Sequence, residues 1–342
     1  MNERFEILRS KYRRFYEDPA NAEPLFIVNT PVKCATWEER LASPEKMLEG
    51  ELLAMKAHND MGDDHLPTVR VQFGTAQVAS AFGSEIFYPE NSLPAAKTHP
   101  LHKIEDVYSI KMPALDAGLF SKVTEFTKYY RKHIPAGVSI QLPDLQSPFN
   151  TAHLIRGDEL FMDFYDNPDA VVKLLDIVTD YMIELVPHLK KEIGEEGDWF
   201  HDWGGLWKGS ARISNCSMQM ISPDFYCEHV LPRDVRLMKA IGGGRMHYCG
   251  RTGEVIKSFF KNSEIHALDF DGRFHDIWEL SKIAPPNVAL FTNIEKGSDG
   301  YERLMKGDLP EKRNLLFVVK ADTVEEGREI LNHLRKQVHA VN

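Results

Sequence analysis

SPDFYCEHVLPRDVRLMKAIGGGRMHYCG, residues 222–250, contains one complete helix-to-strand unit. Ser222-Pro223-Asp224 supplies a capping serine and a proline at the first helical position, so a helix opens there and runs towards Ala240. Cys227, Leu231, Val235 and Met238 fall on one stripe of it, which predicts Cys227 packed in the core. Gly242, Gly243 and Gly244 stop the helix, and residues 245–249 then read as a strand. Side chains alternate along a strand, so His247 and Cys249 point the same way, roughly 7 Å apart. Imidazole and thiolate are donors that zinc prefers, and such a pair supplies half of a tetrahedral site.

The same alternation extends outward from this unit. Short β-branched or apolar runs recur at 68–73, 137–142, 198–203, 211–216, 265–270, 288–292 and 314–319. Asn167-Pro168-Asp169 opens a long helix whose stripe includes Val171, Leu174, Leu175, Val178, Met182 and Leu185. Thr323-x-x-Glu326 caps the last helix, and Thr36-x-x-Glu39 is a capping box ahead of a helix through Met55. Residues 1–62 read as helical, beginning with an amphipathic stretch from Arg4 to Tyr16. Strands alternating with helices imply a parallel sheet, and so many of them imply an α/β fold closed into a (β/α)8 barrel over 63–342, behind a helical extension over 1–62. The link from Trp203 to Ala211 is too short for a crossover helix, so those runs either pair antiparallel or one is an excursion.

Composition narrows the class of function. A hydrophobic content of 43% supports a large core, and a formal charge of −10 argues against a nucleic-acid partner. The apolar runs are too short to span a membrane, and the charged start MNERFEILRSKYRR does not resemble a signal peptide. Four cysteines in 342 residues are too sparse for a disulfide framework, which fits a cytoplasmic protein with metal or nucleophile roles open to them.

In barrels of this kind, reactive groups sit where strands end at the C-terminal face. The strand ends here carry Gln141 and Asp144, Asp202, Asn215 and Cys216, His247 and Cys249, Asp269 and Asp271, and Asn293. Asp202 and Asp269 are candidate catalytic groups, and Gln141, Asp144, Asn215, Asp271 and Asn293 are candidate substrate contacts. For the carboxylates the competing reading is a helix cap or a solvated turn. Arg70 and Arg156 are equally suited to substrate carboxylates and to internal salt bridges. Trp199, Trp203 and Trp207 line a pocket or pack the barrel rim. His266 and His275 are isolated and read as structural, and Cys34 has no partner in view.

Over roughly residues 65–335 the chain resembles the uroporphyrinogen decarboxylase superfamily. The resemblance rests on QLPDLQSPFNTAHLIRGDELFMDFYDNPDAVVKLLDIVTDYMIEL (141–185), on SPDFYCEHVLPRDVRLMKAI (222–241) and on HYCG (247–250). It implies a (β/α)8 barrel, and it implies one of two chemistries. The decarboxylases carry an Arg-Gln-Ala-Gly-Arg-Tyr motif near the start, to which nothing here corresponds; Arg9, Arg13 and Arg14 lie on an amphipathic helix instead. The cobalamin-dependent methyltransferases bind zinc through His-x-Cys and a second, later cysteine. His247 and Cys249 match that pattern, but no cysteine follows Cys249, which leaves Cys216 as the candidate third ligand.

The resemblance therefore implies a zinc-assisted methyltransferase moving a methyl group between a corrinoid and a thiol, the corrinoid being carried by a partner protein. The alternatives are a decarboxylase of uroporphyrinogen or a related small acid, and a non-catalytic binder of a tetrapyrrole or corrinoid.

Overall fold

The computed structural model describes residues 3–195, 197–251 and 253–341, with side chains through Val338. A seven-stranded parallel sheet runs in the order Leu25–Asn29, Leu315–Lys320, Ala289–Asn293, Ile265–Asp271, Gly244–Tyr248, Ala211–Ser214, Leu145–Gln146. A further parallel pair, Thr68–Arg70 with Ser139–Gln141, completes the round. Ser139–Gln141 and Leu145–Gln146 are two halves of one stave, interrupted around Pro143, which has no N–H to give to a ladder. Counted so, there are eight staves with helices outside them: the (β/α)8 barrel that the alternation implied.

Two segments differ from their sequence reading. Leu25–Asn29, inside the stretch 1–62 read as helical, is a barrel stave paired with the last strand, Leu25 opposite Leu316 and Val28 opposite Val319. It is buried at four successive positions. A strand covered on both faces is a continuous apolar run, too short to show either period. Residues 198–203, read as a stave, are not one. Trp199–Asp202 pairs antiparallel with Gly205–Lys208 in a hairpin inserted before Ala211–Ser214. Of the two readings open for that link, the excursion is the observed one.

The barrel has two cores. Facing outward, Phe26, Val28, Met246, Tyr248, Leu268, Phe270 and Leu290 belong to one core with the surrounding helices, among them Pro168–Ile193, whose predicted stripe is fully buried. Facing inward, Leu25, Ile27, Ala267, Ala289, Phe291, Leu316 and Val318 close around Phe200, Leu206 and Trp207 of the hairpin and Leu8, Tyr12 and Phe15 of the first helix, Glu3–Glu17. The Trp207 ring lies 5.8 Å from Phe291 and 6.4 Å from Tyr12 between ring centroids. The hairpin and first helix thus plug the barrel, while its other end stays available.

Among the described residues, Leu25–Asn29 has no strand partner on its second edge, and two carboxylates take that place. Asp64 Oδ2 accepts from the Phe26 N–H and Asp63 Oδ2 from the Val28 N–H, both at 2.8 Å, and the Asp64 N–H returns to the Phe26 carbonyl at 2.9 Å. Buried N–H groups that would otherwise be orphaned are satisfied without a further strand.

Local start signals place the helices well. The Thr36 capping box is present, but its helix ends at Ala42, and Ser43 caps a second helix, Pro44–Met61. Thr323 caps the last helix, its hydroxyl accepting from the Glu326 N–H at 3.1 Å. The helix opened by Ser222 widens into a π turn over Tyr226–Val230 before resuming as Leu231–Ile241. The wider turn shifts the apolar stripe by a residue. Its buried face is Tyr226, Val230, Asp234, Leu237, Met238 and Ile241, and Cys227, expected in the core, is exposed.

Trp207→Ala is expected to cost about 3–5 kcal/mol of stability, because it empties the centre of the plug. Urea denaturation measures this; a loss below about 1 kcal/mol would mean that the hairpin does not support the barrel.

Candidate metal centre

Three neighbouring staves present a polar stripe to the barrel interior. Alternation aims Arg212, Ser214 and then Cys216 inward from one, Arg245, His247 and Cys249 from the next, and Asp269 and Asp271 from the third. The register aligns them: Arg212 opposite Arg245, Ser214 opposite His247, and His247 opposite Asp269. Cys216 and Cys249 each lie two residues beyond the Ser214–His247 pair. Their sulfurs stand 3.0 Å apart, and Cys249 Sγ is 3.1 Å from His247 Nε2. The donor atoms of Cys216, His247 and Cys249 all lie within 4.8 Å of one another, in half-buried side chains. Among the described residues no other group of three such side chains meets this spacing. Two sulfurs and one imidazole, partly open to solvent, are a donor set suited to a zinc site with a fourth position free.

Gly250 follows at once with φ of 69°, and a Cβ there would run into the Gln219 amide. The turn that carries Cys249 out of the strand therefore requires glycine.

Asp269 anchors this group from below. One of its oxygens is 2.9 Å from His247 Nδ1 and accepts from Arg212 Nε at 3.1 Å; the other lies 3.5 Å from Arg245 Nε. A carboxylate at Nδ1 places the proton there and leaves the Nε2 lone pair facing the sulfurs. Burial works to raise the Asp269 carboxyl, but Arg212, His247 and Arg245 outweigh it and hold it well below the usual range. Burial likewise disfavours charged His247, and Asp269 outweighs that, raising it. The hydrogen bond from Cys249 lowers the Cys216 thiol to about 4, opposed by burial and aided by His247. The same contact, together with burial, pushes Cys249 up.

The other predicted residues divide by level. Arg212 also donates to Asp144 at 2.6 Å, so Asp144 belongs to the same network. Asp202, at the hairpin tip, ion-pairs with both Arg70 and Arg245 and is buried, one ion pair removed from Asp269. Gln141 donates to Thr68 Oγ1 at 2.6 Å and accepts from the Trp203 N–H at 2.8 Å, which fastens the tip to two stave ends. Asp271 stands half-buried beside the cluster, opposite Asn293 and held by Arg273; Asn293 is exposed at its strand end. Trp203 is 42% exposed over Arg70, whereas Trp207 is buried in the plug and Trp199 packs on Tyr16. Arg156 is tied to Asp163 at 2.7 Å. His275 binds the Gly250 carbonyl at 2.9 Å, and exposed Cys34 neighbours Arg40.

Asn215 is not brought to the cluster. It points outward, between Ser214 and Cys216, and donates to Asp234 at 2.7 Å beneath the π turn, where Tyr226 donates to the same oxygen at 2.6 Å. Arg212 and Arg245 were missed in the sequence reading, and they had a signal. An arginine two residues before Ser214, and another two before His247, fall on the same face of apolar strands as the ligand-type residues.

Burial pushes the Asp234 carboxyl up to about 7. Folded, it holds its proton more tightly than unfolded, so this contribution to stability is complete at low pH and is lost as pH rises through about 7. The stability of the natural chain relative to Asp234→Asn should therefore fall by about 1 kcal/mol per pH unit between the ordinary carboxylate range and neutrality. Urea titrations at stepped pH measure it; a flat difference would mean Asp234 is ionised throughout.

The comparisons with known proteins fit this geometry. The model for the family "Uroporphyrinogen decarboxylase (URO-D)" matches residues 30–297. A search of curated proteins finds no match. Among solved structures, the chain is similar to a methyltransferase from Methanosarcina mazei, with a TM-score of 0.72 at 17% identity over 98% of each chain. At that identity the likeness speaks for the fold. The family match covers most of the chain, the Cys216, His247 and Cys249 centre included, and the chain belongs to the uroporphyrinogen decarboxylase family.

Proposed function

We propose that this protein is a methyltransferase in which Cys216, His247 and Cys249 hold zinc, a thiol is the methyl acceptor, and a corrinoid on a partner protein is the donor. The observation that carries the reading is the convergence of two sulfurs and one imidazole within 4.8 Å of one another, among staves whose interior is otherwise ion-paired. The fold it shares with a methyltransferase from Methanosarcina mazei supports it.

When bound, zinc supplies the Lewis acidity that keeps a small thiol deprotonated at neutral pH. The chain's own residues prepare that event. Asp269 keeps the His247 proton on Nδ1, so that Nε2 is a donor rather than an acid. Arg212, whose charge favours the anionic forms of both sulfurs, is itself fixed by Asp144 and Asp269. The plug of Phe200, Leu206 and Trp207 shields one side from water, while the half-buried sulfurs remain accessible from the mouth. A corrinoid carried by the partner would supply the methyl group, and a thiol held at Cys216, His247 and Cys249 would be placed to accept it at sulfur, its proton passing to solvent.

The interior charges weigh against decarboxylation of a polycarboxylate. Arg70, Arg212 and Arg245 are each paired with an aspartate, so none stands ready for a substrate carboxylate. A non-catalytic binder would keep the metal and show no transfer from methylcobalamin to a thiol.

Protein made in zinc-replete medium should contain stoichiometric zinc by metal analysis, and Cys216→Ser should lose it. Zinc-free natural protein would refute the reading. Asp269→Ala should weaken zinc binding by roughly 10–100-fold in competition with a chelating dye, with Cys216 and Cys249 intact.

A further inference from the structure

We propose that Cys216 and Cys249 are an oxidative modification site: in the metal-free chain they close to a disulfide that disables the centre. The inference concerns the same sulfurs as the functional reading above, but it does not require that a metal be the natural occupant.

The backbone sets the distance. Ala211–Ser214 and Gly244–Tyr248 are adjacent parallel strands in register from Gly244–Ala211 to His247–Ser214, and the Asn215 N–H continues the ladder to the His247 carbonyl at 2.7 Å. Two residues further on, Cys216 and Cys249 occupy facing positions. Neighbouring strands lie about 4.8 Å apart, inside the window of about 4.4–6.8 Å between Cα atoms that a disulfide accepts. Both side chains already point the same way, with sulfurs 3.0 Å apart. They are half-buried, so a small hydroperoxide can reach them. The remaining cysteines are placed differently: Cys34 and Cys227 are exposed, beside Arg40 and Ser258 respectively.

The chemistry balances with hydrogen peroxide as oxidant. One thiol is oxidised to a sulfenic acid as the O–O bond breaks and water leaves. The second thiol then attacks that sulfur, the S–S bond forms, and a second water leaves with the displaced oxygen. Two sulfurs have given up two electrons in all, and neither has a thiolate left for a metal. Disulfide and metal are mutually exclusive, so the centre works only where its thiols stay reduced.

The test uses the full chain, stripped with a chelator, exposed to hydrogen peroxide, and then alkylated under denaturing conditions for mass analysis. Two of the four thiols should disappear, a peptide linking Cys216 to Cys249 should appear, and dithiothreitol should restore all four. Cys34→Ser with Cys227→Ser should leave the link intact, Cys216→Ser should abolish it, and zinc added beforehand should slow its formation at least tenfold. Four alkylatable thiols after oxidation, a link through Cys34 or Cys227, or oxidation at an equal rate in protein shown to have bound zinc would each overturn the proposal. A chain that takes up no zinc and still forms the link refutes the metal reading alone. Zinc binding without the link refutes this one alone.

Discussion

Everything at the mouth of this barrel depends on one buried carboxylate, Asp269. It is shared by His247, Arg212 and Arg245, and through them by Asp144 and Asp202. Removing water from a carboxylate costs several kcal/mol, and only partners of opposite charge with good geometry offset it. Here two arginines and the His247 ring surround a single anion, and both arginines need further aspartates in turn. The result is a chain of alternating charges across the barrel interior that cannot lose a member without stranding its neighbours. His247 is held by this lattice rather than by packing, which is why its ring nitrogen faces the sulfurs with a fixed tautomer.

The hairpin is the second constraint. An eight-stave barrel must fill its interior, and Ala267 and Ala289 are too small to do so. Trp207 and Phe200 supply the missing volume from outside the staves, and the same hairpin carries Asp202 up to Arg70 and Arg245. Filling the floor and charging the wall are done by one insertion. That economy explains why Gln141 holds the Trp203 backbone so directly: the tip must be fixed if Asp202 is to stay between two arginines.

Much of this was legible in the sequence, for identifiable reasons. Helices announced themselves through the capping side chains of Thr36, Ser222 and Thr323 and through Pro168 at a first helical position, because such start signals are local. The His247–Cys249 alternation followed from period alone. What stayed hidden depends on distant partners. Leu25–Asn29 is apolar on both faces and has no period, so only its pairing with Leu315–Lys320 identifies it. Cys227 was misplaced because the π turn that rotates it outward breaks the helical count. Asn215 and Asp269 both end polar at strand termini, yet one faces a helix and the other the interior, a difference set by register.

That first stave has a consequence for how the molecule comes into being. Leu25 and its partner Leu316 lie 291 positions apart in sequence, so the strand is made long before the one it pairs with. A growing chain therefore carries this four-residue apolar edge without its strand partner until Leu315–Lys320 has been made, while Asp63 and Asp64 follow soon after it in sequence. Contacts so far apart in sequence make closure slow and leave partly built chains prone to aggregation. The two aspartates that seal the finished barrel are thus also the groups placed to shield Leu25–Asn29 before its partner strand exists.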